Sequence, residues 1–489
     1  MEAKQFKVAA LSLAVFGALA SGSVMAQQDA EGPAYAASYE KFVDDSKLTG
    51  GLFYFQRNRQ RYDASEMMTV KDANGQKIEV PNPSYGKYKQ NLNHAVSQFA
   101  LNFNSGYAWD VIGLDIGGFG AYALSIDDAN GVDRENEFNF MGSKYGAMAD
   151  GKTESKDGFS LTTAAVKMKF GDVATAKAGY TQLYIPGIIG VNWSYQPGTY
   201  LGGQVDVNTS GFSLATAYAT EYKAPWYQNT AKFSLQGPYS VRNSEFDIDY
   251  IWGLSAGYAF ENGLALTAAF GQSENFMDSY FAKIAYKFDV LGGLSTSYQF
   301  YGSKTKNSDQ LEKNGFFHYE GTGWQQALTA ALNYDLYDFR AEALFTNADG
   351  SGYYLPRLTP GYGNSQGANE IWWDSRSDWN ADNEKAIFLG VTRKLDDVVG
   401  APGWAVGVSG AYGWDAEYKK ANLSGGKESA VNFDVMYTIQ EGLTKGTLFK
   451  LHYTNYKNHQ DELGSWAYPN MFTSEHDVKF HIIMPLSFF

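Results

Sequence analysis

The chain has 489 residues, a formal charge of −14, no cysteine, 52 glycines and 16% aromatic residues. The lack of cysteine excludes a disulfide framework and a thiolate metal site, and the acidic balance argues against nucleic acid as a partner, because nucleic-acid binders carry a basic footprint. Beyond the N-terminal segment no run approaches the ~18–20 consecutive apolar residues of a spanning helix, and helical 3.6-residue periodicity is almost absent.

Residues 1–26 read as a secretory signal peptide. Lys4 and Lys7 supply a basic start, Val8 to Ala20 is an apolar run too short to span, and Val24-Met25-Ala26 places small or apolar residues at the cleavage positions. Residues 27–41 are polar and Ala-rich with no strand pattern, which predicts a periplasmic tail; a tail folded back as a pore plug is the alternative. From Phe42 to Phe489 the chain alternates. Eighteen segments have a two-residue period, from 46–59 and 90–105 through 279–288 and 293–303 to 475–489.

The hairpin at 279–302 shows the grammar. Tyr280, Ala282, Ile284, Tyr286 and Phe288 share one parity, while Phe281, Lys283, Ala285 and Lys287 share the other. A soluble sandwich would bury the greasy face, whereas a membrane barrel turns it to lipid and keeps the polar face in a wet lumen. The connections decide between them. Segments 60–89, 125–157, 184–199, 222–249, 304–323, 348–384, 415–426 and 457–474 are long. They alternate with short ones at 106–109, 171–172, 209–210, 261–262, 289–292, 335–336, 396–403 and 439–445, and only the middle one, 275–278, breaks the rule. This asymmetry predicts an all-β fold: an 18-stranded antiparallel transmembrane β-barrel, with short periplasmic turns, long extracellular loops and both termini on the turn side. Closure matters because an open edge in lipid leaves backbone groups unpaired, at several kcal/mol each. The last strand ends on Phe489, an aromatic, which suits an interfacial girdle.

Motifs that would carry chemistry are weak. Gly253-Leu254-Ser255-Ala256-Gly257 matches G-x-S-x-G but lies inside a strand pattern with no helix to follow, so a nucleophile elbow is not expected. Six histidines are scattered without metal spacing, and Asp127 to Asp133 resembles part of a calcium loop without its closing glutamate. No cofactor, no metal and no enzymatic activity are expected. The inward parity carries Lys167, Lys169, Lys177, Lys283, Lys287, Arg340 and Lys450 against Asp115, Asp206, Asp338, Glu342 and Asp434. These charges either merely keep a lumen wet or act as polar rails for a solute. Two loops are unusually apolar: YIPGIIGVNWSYQPGT at 184–199 and EIWWDSRSDWNADNE at 370–384. Their aromatics either rim the barrel at the headgroup level or fold inward as a constriction. An aromatic face attracts the C–H face of a pyranose ring, so the second reading suits an uncharged sugar chain. It makes Trp193, Tyr195, Trp226, Trp372 and Trp373 stacking candidates, and Asp374 and Arg376 hydrogen-bonding candidates.

Several stretches carry a family resemblance. Phe42-Val43-Asp44-Asp45-Ser46 is similar to the opening of the OprD-type outer-membrane porins. Glu221-Tyr222-Lys223-Ala224-Pro225-Trp226, Tyr280-Phe281-Ala282-Lys283 with Phe300-Tyr301-Gly302, and Arg357 to Tyr362 resemble the chitoporin branch of that family. Ile371-Trp372-Trp373-Asp374, Glu384-Lys385-Ala386 and Tyr437-Thr438-Ile439-Gln440 do so too. The resemblance runs from about residue 42 to the C-terminus. It implies passive uptake of chitooligosaccharides through a barrel in the Gram-negative outer membrane, surrounded by lipid and lipopolysaccharide, with no cofactor and as a monomer rather than a trimer. The alternative within transport is an OprD-like channel for basic amino acids, peptides or small carboxylates. Residues 27–41 and the 60–89 loop are longer than the branch implies, which bears on plugging and gating.

Overall fold

The computed structural model describes residues 40–489 apart from 62–65, 72–75, 82–90, 126–137, 142–154, 191–193, 236–246, 291, 315–317, 355–357, 359–368 and 461–470. Trp193, the signal peptide, residues 27–39 and the Asp127–Asp133 motif lie outside the described residues.

Eighteen strands make the wall: β1 Lys47–Arg61, β2 Asn91–Asn104, β3 Ile112–Ser125, β4 Gly158–Phe170, β5 Ala174–Thr181, β6 Thr199–Thr209, β7 Phe212–Lys223, β8 Ile251–Ala259 and β9 Leu264–Ser273. They continue as β10 Met277–Phe288, β11 Leu294–Thr305, β12 Thr322–Tyr334, β13 Tyr337–Asn347, β14 Lys385–Lys394, β15 Trp404–Tyr418, β16 Leu423–Thr438, β17 Leu448–Asn458 and β18 Glu475–Ser487. Each strand pairs antiparallel with its neighbours in sequence. The sheet closes on itself: β1 pairs with β2 from Lys47↔Asn104 to Gln60↔Asn91, and with β18 from Thr49↔Ser487 to Arg61↔Glu475. Closure satisfies the two edges that lipid could not.

The polarity is inverted as the sequence predicts. On β10, Tyr280 is 39% and Ile284 51% exposed, whereas Phe281 on the other parity is 3% exposed. Leu328, Leu389, Val431 and Phe433 are likewise exposed on the outer face. No helix among the described residues is long and apolar enough to cross a membrane.

The alternation of turn and loop holds, with one large difference of length. The connection expected at 415–426 shrinks to 419–422, because β15 and β16 run on past the apolar zone to Tyr418 and back from Leu423. Their outer ends carry Asp415 and Glu417, charges that read as loop in the sequence but lie on wall strand. The long 62–90 connection contains its own hairpin, Met67–Lys71 with Lys77–Pro81. A five-residue helix, α1 Glu40–Asp44, precedes β1 and docks on the β2–β3 turn through Gly106 N donating to Phe42 O at 3.0 Å.

The buried apolar residues lie inside the barrel, between inward-turned loops and the wall. One cluster joins Leu183, Ile185, Ile188 and Ile189 to Tyr222, Phe281 and Tyr301. A second joins Ile371, Trp373 and Trp379 to Phe388, Ala411, Ala430 and Tyr456.

Candidate functional site

Among the described residues, two connections carry the predicted aromatics into the lumen. The first comprises 182–190 and 194–198, between β5 and β6. Its Ile185–Ile189 turn is closed by Ile185 N donating to Ile189 O at 2.8 Å and Ile189 N to Ile185 O at 3.0 Å. Ile188 packs into the space left by Gly271 of β9 and Gly253 of β8, and Gly187 lies against the Phe281 ring of β10. A side chain at 271 or 187 would collide there, and Gly187 also has φ +68, so glycine is what lets the turn reach the wall. Further along, Tyr195 reaches the wall at β1 and β18. Its ring stacks between Phe53 of β1 at 5.1 Å and Phe138 at 4.6 Å, and its hydroxyl lies 2.5 Å from His481 Nδ1 of β18.

The second is 369–384, the last part of the connection between β13 and β14. Although it joins neighbouring strands, it touches the inner face of strands far around the wall. Glu370 pairs with Lys283 of β10, and its backbone N–H donates to the Tyr301 hydroxyl of β11 at 3.1 Å. Asn369 donates to Gln325 of β12 at 3.2 Å. The Trp373 indole donates to Glu342 of β13 at 2.6 Å, and Ser377 to Glu428 of β16 at 2.8 Å. Asp374 meets Lys479 of β18, and Arg376 pairs with Glu475 of β18 at 2.5 Å. Only a segment lying across the lumen can do all of this.

This segment is extended, and its burial alternates. Ile371, Trp373, Ser375, Ser377 and Trp379 are buried against the wall; Trp372, Asp374, Arg376 and Asp378 are half-exposed. The predicted group therefore divides. Trp372, Asp374 and Arg376 lie on the half-exposed parity, with the Arg376 guanidinium over the Phe472 ring at 4.2 Å. Trp373 has its ring stacked on Phe388 at 5.3 Å and set against Trp379 at 5.6 Å, so it fastens the segment. Trp226 is also half-buried, packed against the first apolar cluster beside Tyr227.

Most of the predicted lumen charges are paired, although Lys177 and the buried Lys223 form no ion pair among the described residues. Lys167 meets Asp115 at 2.6 Å and Lys169 meets Asp110 at 2.8 Å. Lys450 meets Asp434 at 3.0 Å, and Arg340 meets Glu342 at 2.7 Å. Arg57 and Arg59 of β1, which sequence reasoning missed, are buried against Asp477 and Glu475. Lys177 stands in register with Lys167 and Gln204, with Asp206 and Asp115 as its neighbouring carboxylates. Lys287 is exposed at the turn end of β10. Burial by itself would raise the Asp374 carboxyl, but the charges of His452, Lys479 and Lys450 outweigh it and hold the group well below the usual carboxylate range. The lumen thus presents many hydrogen-bonding groups with little uncompensated charge.

A closed barrel narrowed by inward loops, with a polar inner face, defines a channel protein of the outer membrane. The profile described as outer membrane porin, OprD family, matches residues 40–467, so the chain belongs to the OprD family of outer membrane porins. It is 39% identical to the chitoporin of Escherichia coli (strain K12) over 504 residues, covering 99% of each chain. Among solved structures it is similar to Acinetobacter baumannii OccAB1, with a TM-score of 0.72 at 14% identity over 94% of this chain and 100% of that one. It is also similar to Pseudomonas aeruginosa OpdK with vanillate, with a TM-score of 0.68 at 17% identity over 91% of this chain and 100% of that one. These structures share its fold. The family places the protein in the Gram-negative outer membrane and points to a channel rather than an enzyme; Gly253–Gly257 duly lies within β8, with no helix behind it.

Proposed function

We propose that this porin admits chitooligosaccharides, short uncharged chains of N-acetylglucosamine, down their gradient. The observation that carries the reading is the pairing of lumen cations with carboxylates along the route. An anion conduit needs a dominant basic rail, and a basic-amino-acid conduit an acidic one. A conduit whose charges cancel locally offers donors and acceptors that exchange with sugar hydroxyls, without a net field to favour an ion. The near full-length likeness to a chitoporin supports the same solute. In this reading Trp372 offers aromatic surface to the sugar rings, while Tyr195, its ring stacked between Phe53 and Phe138, fastens the first loop. Asp374 and Arg376 bind hydroxyl and acetamido groups while tied to Lys479 and Glu475. Trp373 and Trp226 hold the two loops in shape.

Single-channel recording in a planar bilayer tests the proposal. Chitohexaose at submillimolar concentration is expected to interrupt the ion current, while arginine and benzoate at the same concentration leave it steady. Blockage by either charged solute with none by the sugar overturns the reading and favours a channel for basic amino acids or carboxylates.

A further inference from the structure

The segment that narrows the lumen is fastened at its far end by two carboxyl groups. Glu384 closes the segment and Glu428 lies on β16; both side chains are 0% exposed. Glu428 Oε1 accepts from Ser377 Oγ at 2.8 Å, and Oε2 accepts from the Tyr456 hydroxyl of β17. Glu384 Oε2 accepts from Ala381 N at 2.9 Å. Glu384 Oε1 is buried with no donor, and it lies with the Glu428 side chain over Gly413, so the two carboxyl groups face one another in a dry site. Two ionised carboxylates side by side there, with no cation to offset them, would repel strongly. One proton must lie between them, and the oxygen with no other donor is where it belongs.

Nothing nearby replaces that proton with a fixed charge. Among the described residues neither glutamate forms an ion pair with a lysine or arginine. From the same loop, Asp378 adds negative charge near Glu428, and Asp382 is buried as acceptor for Ala348 N and Gly350 N. From β14 and β15, Lys385 is taken up by Asp415, and Glu417 accepts from Asn383. From β17 the facing group is Tyr456, and on β18 Glu475 is taken up by Arg376 and Arg59. Gly413 on β15, in register with Glu428, leaves the space that the Glu384 carboxyl fills.

We propose that Glu384 and Glu428 share one proton as a latch that keeps the 369–384 segment docked across the lumen, and that alkaline conditions release the segment and widen the conduit. Opening loses that proton to water from Glu384 Oε1; the two carboxylates then repel in a dry site and the segment lifts from β16. Burial first, and the Glu428 charge second, raise the Glu384 carboxyl well above its ordinary range, in the sense the latch requires. A group raised in the docked state holds the segment fully below its ordinary value and loses that hold as pH climbs toward the raised one. The latch does not depend on which solute passes.

The test is conductance of the full barrel in potassium chloride with no sugar, from about pH 5 to about pH 9, where one proton limits the opening equilibrium to about a tenfold change per pH unit. Wild type is expected to spend more time in a wider state as pH rises. Glu384→Gln, whose amide donates where the proton did, is expected to stay in the narrow state throughout. A variant that follows the wild-type profile, or a wild type with no pH response, overturns the latch. Should the variant fail to insert, hydrogen exchange of the wild type decides. Faster exchange of 373–384 with pH, after correction for the intrinsic rate, supports the latch; unchanged exchange overturns it. Release by a chelator at neutral pH would show a cation in place of the proton and would also overturn it.

Discussion

Neighbouring residues in the inner segment have different jobs, set by which way a side chain points. Trp372 and Trp373 are adjacent indoles, but only the first meets the passage. Trp372→Ala is expected to weaken chitohexaose blockage by about 1 kcal/mol, roughly fivefold in blocking concentration, with the unblocked conductance unchanged. Trp373→Ala strips the Phe388 stack and the bond to Glu342, so the open-channel current itself should become noisy and larger. Asp374→Asn leaves Lys479 without its loop partner and adds one net positive charge to the route. Its reversal potential in a salt gradient should shift toward anions, with a loss of about 3–5 kcal/mol confined to loop docking as an upper bound for breaking a buried pair. The tryptophans were legible in the sequence as a cluster, and so was the cue that separates them. The charges at 374, 376 and 378 alternate with 373, 375, 377 and 379, a period of two outside any wall strand. Arg57 and Arg59 were missed because an inward arginine on β1 means little until Asp477 and Glu475, more than 400 residues later, are known to lie beside it through barrel closure.

Each inward loop is an element with its own fastening. The 182–198 loop depends on shape: Ile188 enters space that exists only because positions 253 and 271 lack side chains. Gly187→Ala places a methyl against the Phe281 ring at a backbone conformation alanine resists, at a cost of about 1–3 kcal/mol, and should enlarge the single-channel conductance without unfolding the barrel. The 369–384 loop depends on charge, and its two ends respond to opposite pH changes. The depressed Asp374 contributes hold above its ordinary range and loses it only as pH falls through the depressed value, so mild acid leaves that end docked. The raised Glu384 lets go on the alkaline side. Hydrogen exchange resolved along 369–384 should therefore show the Glu384 end loosening first as pH rises, and no loosening near Asp374 at mildly acidic pH. The wall strands were readable from period two because lipid demands a greasy face on every one. The loops were not placed by sequence, since what holds them is contact between distant segments, such as Glu370 with Lys283 across 87 positions.

For the whole molecule, inverted polarity and closure make a conduit, and the proposal of an uncharged polar solute rests on its inward loops and paired charges. The unequal connections on the two sides gave the strand number and orientation away, because short turns and long loops serve different compartments. Both signs of charge were legible in the list of inward residues, but which cation meets which carboxylate appears only with the register. The absence of cysteine allows a direct measurement. Single cysteines are placed in turn at 371 through 377, and the current is followed while a water-soluble thiol reagent is added, with and without chitohexaose. Cysteines at 372, 374 and 376 are expected to react, reduce the current and be protected by the sugar, while those at 371, 373, 375 and 377 stay silent. Equal reaction on both parities, or no protection by the sugar, would contradict this expectation.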